Sequence, residues 1–190
     1  MQTVSDLTLA AVLIVAAVTD LRSGRIYNKL VYPAIIAGLV LGLLDGGWPG
    51  LWDHALGAGV AFGILFFCYV LGGMGGGDVK LMAAVGALGG FARPGQGNFI
   101  LYAMFYAFAI GAILGILAAL WKRALGTVAA RTWWGIRMLA VPGTSLKDAV
   151  PQATVRVPFG FATAVGALWV LVENYCGASL GSLIARLTGF

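Results

Sequence analysis

The chain has 190 residues, of which 61% are hydrophobic and only 10% charged, and its mean hydropathy is +0.94. Soluble domains carry roughly 25% charged residues, so a water-soluble globular domain is excluded and an integral membrane protein surrounded by the lipid bilayer is expected. The net charge of +5 would suit a nucleic-acid partner, but the basic residues fall in particular loops and form no patch, so none is expected.

At about 20 apolar residues per crossing, the length accommodates an all-α, polytopic unit of about six transmembrane helices over residues 1–190, with no separate soluble domain. The first apolar run, about 5–20, has no positively charged segment before it. Asp6 precedes it and Arg22, Arg25 and Lys29 follow, so it is expected to be a retained span with its N-terminus outside and not a signal peptide. A basic loop, 21–29, leads to a second span at about 30–44. The turn-rich Asp45-Gly46-Gly47-Trp48-Pro49-Gly50 breaks the chain, and a third span follows at about 55–72. The cluster Gly72-Gly73-Met74-Gly75-Gly76-Gly77-Asp78 is too glycine-rich for a stable helix in isolation. That leaves Val79–Phe91 as a fourth span of about 20 Å, short of the roughly 30 Å hydrocarbon core. Either the bilayer thins there, or the glycine stretch enters the membrane inside the protein, where irregular backbone lines a wet cavity or is buried. A fifth span is expected at about 98–121 and a sixth at about 157–175. Between them, the aromatic and basic stretch Thr127–Val141 reads as an amphipathic helix in the membrane interface. The tail, 177–190, reads as a further interfacial helix.

Ten of the twelve Lys and Arg residues fall in 21–29, 72–80 and 122–156. With six spans and an outside N-terminus these three loops share one side, the cytoplasmic one by the positive-inside rule. Cys68 and Cys176 are expected near opposite faces, with no Cys-x-x-Cys pair to hold zinc. His54 is expected to be a solvated loop residue beside Asp53.

Two acids stand out at the ends of apolar runs. A carboxylate in or near hydrocarbon costs roughly 2.5–3.5 kcal/mol on insertion scales and so usually has a role. Asp20 and Asp78 are 58 residues apart, enough for two spans and a loop, which returns both to one rim at similar depth. Two adjoining carboxylates share a proton and titrate as a unit, and low-dielectric surroundings should raise the proton affinity of the pair. One ionised and one protonated acid around a water are the equipment of an aspartic protease, with no metal or cofactor. Gly75-Gly76-Gly77-Asp78 also fits Gly-x-Gly-Asp, in which missing side chains let an extended backbone approach the acid.

Three stretches carry a resemblance to a known family. They are Thr19-Asp20-Leu21-Arg22 with Ile26-Tyr27-Asn28, then Gly75-Gly76-Gly77-Asp78-Val79-Lys80-Leu81, then Val157-Pro158-Phe159-Gly160-Phe161-Ala162. In order and spacing the chain resembles the type IV prepilin peptidases, membrane aspartic proteases of the Gly-x-Gly-Asp class. The resemblance implies a single transmembrane peptidase domain over 1–190, in a bacterial cytoplasmic (inner) membrane, with its active site toward the cytoplasm. It implies that Asp20 and Asp78 are the catalytic pair. The substrate would be a type IV prepilin or pseudopilin precursor, cut between its basic leader and its hydrophobic helix.

Around the pair, Gly75 and Gly77 give backbone access. Lys80 is expected to anchor at headgroups or to position the site, and Asn28 to cap or tie the loop after Asp20. Pro158 and Gly160 are expected to shape the entry to the sixth span. The family commonly has Pro where Tyr27 and Phe161 stand, changes expected to touch supporting backbone and substrate preference while leaving the acids in place. Longer relatives carry an N-terminal zinc-binding region associated with N-methylation. This chain resembles the short form, of the Flp or tight-adherence pilus type, and methyltransferase activity is not expected.

Two other classes fit the acid pair less well. A proton- or ion-coupled transporter would use it as a relay, yet no inverted repeat of broken helices is evident. A non-catalytic pilus or secretion assembly subunit is the other alternative.

Overall fold

The computed structural model describes residues 2–70, 74–93, 97–123 and 158–176. The chain there forms α1 (Gln2–Ser23), α2 (Asn28–Val70), α3 (Gly76–Gly89), α4 (Phe99–Trp121) and α5 (Phe159–Cys176). The all-α class holds among the described residues, where the only β feature is an isolated bridge between Arg93 and Gly97. The segment Thr127–Val141 and the tail 177–190 lie outside the described residues.

A 43-residue helix would be about 65 Å long, twice the hydrocarbon thickness, so α2 cannot cross as one rod. It is broken at Gly47, whose backbone (φ 60°, ψ −144°) leaves helical space. That φ favours glycine, which lacks the Cβ that would clash there. Pro49 follows in the first turn of the new arm, where its missing N–H is not needed. The expected second and third spans are therefore the two arms of α2, although the second starts at residue 48 and not at about 55. Counting the arms separately gives six helical segments among the described residues. Among the described residues α1, α2 and α4 are long and apolar enough to cross a membrane, and Phe159–Tyr175 is a shorter apolar helix.

Both arms fold back against α3. Gly38 on the first arm lies against Ala87, and Gly57 on the second against Gly86 and Gly90. A Cβ on Gly57 would stand 2.8 Å from the carbonyl carbon of Gly90, and one on Gly86 2.8 Å from the amide nitrogen of Ala58. Lipid is as apolar as a leucine side chain, so helices in a bilayer associate through such close backbone packing. As a result every residue from Leu81 to Gly90 is buried, and protein rather than lipid surrounds α3.

The expectation for α3 is corrected at its start. The helix begins at Gly76, not Val79, so Gly76, Gly77 and Asp78 form its first turn. Glycine's entropic cost there is about 1 kcal/mol per residue, and the packing of both α2 arms against α3 offsets it. At about 21 Å, α3 is shorter than the hydrocarbon core, and from Leu81 to Gly90 it is enclosed by the other helices.

On the other flank α4 and α5 run antiparallel. Gly111 abuts Phe159, Gly166 abuts Ala107, and Tyr106 Oη donates to Glu173 Oε1 at 3.0 Å. Leu9, Leu13, Val31, Leu65, Val85 and Ile100 fill the space between the helices. Large apolar side chains such as Phe67, Phe105 and Trp169 point outward, as suits a lipid-facing surface.

The bundle has two polar ends. At one end, Arg93 and Asp6 are buried together, with Arg93 Nη2 2.7 Å from Asp6 Oδ1. Their alignment is not that of a hydrogen bond. Arg93 Nε donates to Gly89 O at 2.7 Å, its guanidinium lies 4.2 Å from the Phe99 ring centroid, and Tyr175 Oη donates to Asp6 Oδ2 at 2.9 Å. This network ties α1, the segment after α3, α4 and α5. Asp20 and Asp78 lie at the other end.

Candidate active site

Asp20 sits in the last turn of α1, half-buried. Its carbonyl accepts the Gly24 N–H at 2.8 Å, which ends the helix and turns the chain into the short link 24–27. Its carboxylate reaches across to α5, where Oδ2 accepts the Phe161 backbone N–H at 3.1 Å. Phe161 is the third residue of that helix, so the N–H is one of those left without an intrahelical partner, and the helix's positive end faces the carboxylate.

Gly160 makes this contact possible. A Cβ at 160 would fall 2.9 Å from Asp20 Oδ2 and 2.9 Å from Ile26 Cδ1. Pro158 starts the turn by accepting the Ala162 N–H at 3.2 Å. Both residues lie at the start of α5.

At position 161 the supporting backbone meets Asp20 directly, and a proline there would have no N–H to give it.

Asp78 lies in the first turn of α3, half-buried, where the helix N-terminus stabilises a carboxylate. Its N–H donates to Gly75 O at 3.1 Å. A Cβ on Gly75 would stand 2.9 Å from Asp78 Oδ2, so the carboxylate folds back over that exposed glycine. Gly77 faces the link between α1 and α2, and a Cβ on it would stand 3.2 Å from Ile26 Cβ.

One side chain, Ile26, thus touches the glycine beside each acid. The structure brings Asp20, Asp78, Gly77 and Gly160 to one end of the bundle around it. Asn28 and Lys80 join the same cluster: Lys80 Nζ donates to Asn28 Oδ1 at 3.1 Å and lies 5.4 Å from the Tyr32 ring centroid. Asn28 therefore ties the start of α2 to the start of α3.

His54 requires a correction. It is not a solvated loop residue but a half-buried residue of the second α2 arm, with Nδ1 2.6 Å from Ala87 O. The carbonyl can only accept, so Nδ1 carries the proton. Asp53 beside it accepts the N–H groups of Phe91 at 3.0 Å and Ala92 at 3.0 Å, holding the chain as it leaves α3. A cavity of about 180 Å³ opens there, lined by Asp45, Asp53, His54 and Arg93 among others. It lies at the end away from Asp20 and Asp78 and includes none of the expected site residues. Among the described residues no three His, Cys, Asp or Glu side chains gather to hold a metal.

The expected residues come together, but Ile26, Tyr32 and the Phe161 amide were not singled out as site groups. The Phe161–Asp20 bond joins residues 141 apart and involves a backbone atom, so no local pattern signals it.

The profile of the type IV leader peptidase family matches residues 7–116, a stretch holding Asp20, Asp78, Gly75, Gly77, Asn28 and Lys80 but not Pro158 or Gly160. A prepilin leader peptidase/N-methyltransferase of Bacillus subtilis (strain 168) is 32% identical over 120 residues, covering 60% of this chain and 44% of that protein. The chain thus matches less than half the length of that curated relative. No solved structure matches.

Proposed function

Because this chain belongs to the type IV leader peptidase family, we propose that it is a membrane aspartic endopeptidase with Asp20 and Asp78 as its catalytic pair. It removes basic leader peptides from type IV prepilins or pseudopilins at the cytoplasmic face of the membrane. The observation that carries the reading is the convergence of the two acid-bearing helix ends on Ile26, with glycine backbone beside each carboxylate.

The chemistry follows from two carboxylates of unequal protonation. The ionised acid takes a proton from a water held between them, and the oxygen adds to the scissile carbonyl carbon. The protonated acid gives its proton to the carbonyl oxygen. When the tetrahedral intermediate collapses the C–N bond breaks, and the leaving nitrogen takes the proton first drawn from water. Exposed Gly75 leaves room for an extended substrate backbone alongside Asp78. Arg22, Arg25, Lys29, Lys80, Lys122 and Arg123 stand at or beside helix ends on the Asp20 side, which supports a cytoplasmic site.

The test is co-expression with candidate prepilin precursors, followed by mass analysis of the membrane fraction. The reading requires a product shorter by the leader, with its new N-terminus at the start of the hydrophobic helix. Precursor of unchanged mass with every candidate would reject it.

A further inference from the structure

Ile26 lies on the link between α1 and α2, half-buried. Its Cδ1 comes within 2.9 Å of where a Cβ on Gly160 would stand, and its Cβ within 3.2 Å of the corresponding position on Gly77. Gly160 lies against the Asp20 carboxylate, and Gly77 immediately precedes Asp78. The two glycines belong to different helices, α5 and α3, with one isoleucine side chain filling the gap between them.

The link that presents Ile26 is fixed on both sides. Gly24 donates to Asp20 O at 2.8 Å before it, and Leu30 donates to Tyr27 O at 3.0 Å after it. Asn28 is held by Lys80, and Lys80 lies over Tyr32. Isoleucine is branched at Cβ and stiff about χ1, so the positions of its two Cγ atoms relative to the backbone are restricted. Glycine on both sides means that the side chain meets main chain directly, with no flexible partner to absorb a change in length.

We propose that Ile26 is the spacer that sets the separation of Asp20 and Asp78, and so acts as a positioning residue for the pair. This deepens the peptidase reading and rests on it. Shortening the spacer loosens the geometry of the two acids. Ile26→Ala keeps the Cβ that faces Gly77 and removes everything beyond it, including the Cδ1 that faces Gly160. Ile26→Val keeps the branch at Cβ and, like alanine, lacks that Cδ1. Ile26→Leu keeps the volume but moves the branch.

The experiment has two readouts on the full-length protein in detergent or liposomes. The first is steady-state cleavage of a precursor peptide. Ile26→Ala lowers kcat about ten- to a hundredfold, the penalty of a misplacement near 1 Å, with KM within twofold of the parent. Ile26→Val and Ile26→Leu fall between. The second uses cysteines introduced at positions 20 and 78, with Cys68 and Cys176 replaced by serine, and bifunctional thiol reagents of graded length. The yield peaks at one reagent length when Ile26 is present and shifts or broadens when it is alanine.

Parent-like kcat in both Ile26→Ala and Ile26→Val, or a length profile unchanged by Ile26→Ala, overturns the spacer role. If Ile26→Ala fails to insert, the Val and Leu variants carry the same comparison. The crosslinking readout does not depend on activity, so the spacer can fail while the peptidase reading stands. Cleavage that survives loss of either aspartate would sink the peptidase reading by itself.

Discussion

Replacing Gly160 with alanine perturbs the candidate site by a single methyl group. The new Cβ would lie 2.9 Å from Asp20 Oδ2, 3.1 Å from its Cγ and 2.9 Å from Ile26 Cδ1. These are side-chain atoms that can rotate away, so the bundle survives, but the Asp20 carboxylate must leave the Phe161 N–H it now meets at 3.1 Å. A hydrogen bond to a charged group is worth about 1.5–3 kcal/mol, equivalent to roughly ten- to a hundredfold or slightly more in rate. Gly160→Ala is therefore expected to lower kcat by that factor, with a thermal midpoint close to that of the parent. Gly63→Ala is the control, because a Cβ there meets nothing within 4 Å. Phe161→Pro removes the same donor without adding a Cβ, and proline is tolerated in a first helical turn. Its loss should be of the same size as that of Gly160→Ala, because both variants remove this hydrogen bond. Rates are read from precursor-peptide cleavage in detergent, and stability from thermal unfolding of the same samples. Gly160→Ala within twofold of the parent would refute the claim that this glycine holds Asp20 in its working position.

Two further predictions concern the frame around the site. Gly86→Val sets a branched side chain against the backbone of Gly57 and Ala58, which cannot rotate aside. It should cost about 1–3 kcal/mol or more and lower the thermal midpoint, whereas Gly59→Ala, with open space around it, should leave the midpoint unchanged. Arg93→Met strands Asp6 as a buried charge, a loss of about 3–5 kcal/mol. Adding Asp6→Leu should recover most of it, and a double variant no more stable than Arg93→Met would show that the pair is not coupled.

Much of this architecture was legible because lipid imposes simple rules. The run ending at Asp20, the break around Gly47 and the apolar segments expected at about 98–121 and 157–175 follow from hydropathy and breakers alone. The start of α3 did not, because helix propensity counts Gly76 and Gly77 against a helix and cannot count two α2 arms packed on either side. His54 was misread for a related reason: its helical arm begins at residue 48, and its partner, the carbonyl of Ala87, is a backbone atom 33 residues away. The Asp6–Arg93–Tyr175 network was invisible because it joins α1, the segment after α3 and the end of α5 with no periodic signal. In the candidate site the acids and glycines announced themselves by residue type. Ile26 is an ordinary aliphatic residue, and its place between Gly77 and Gly160 exists only in the folded bundle.

The central claim is that Asp20 and Asp78 together hydrolyse a precursor's peptide bond. Asp20→Asn and Asp78→Asn are nearly isosteric and keep a hydrogen-bond acceptor, so both variants should insert and fold. Each is predicted to lower the rate of leader removal by on the order of 10²–10⁴-fold, measured on purified, membrane-inserted protein with a matched precursor. Leader removal at the parent rate by either variant would contradict the account.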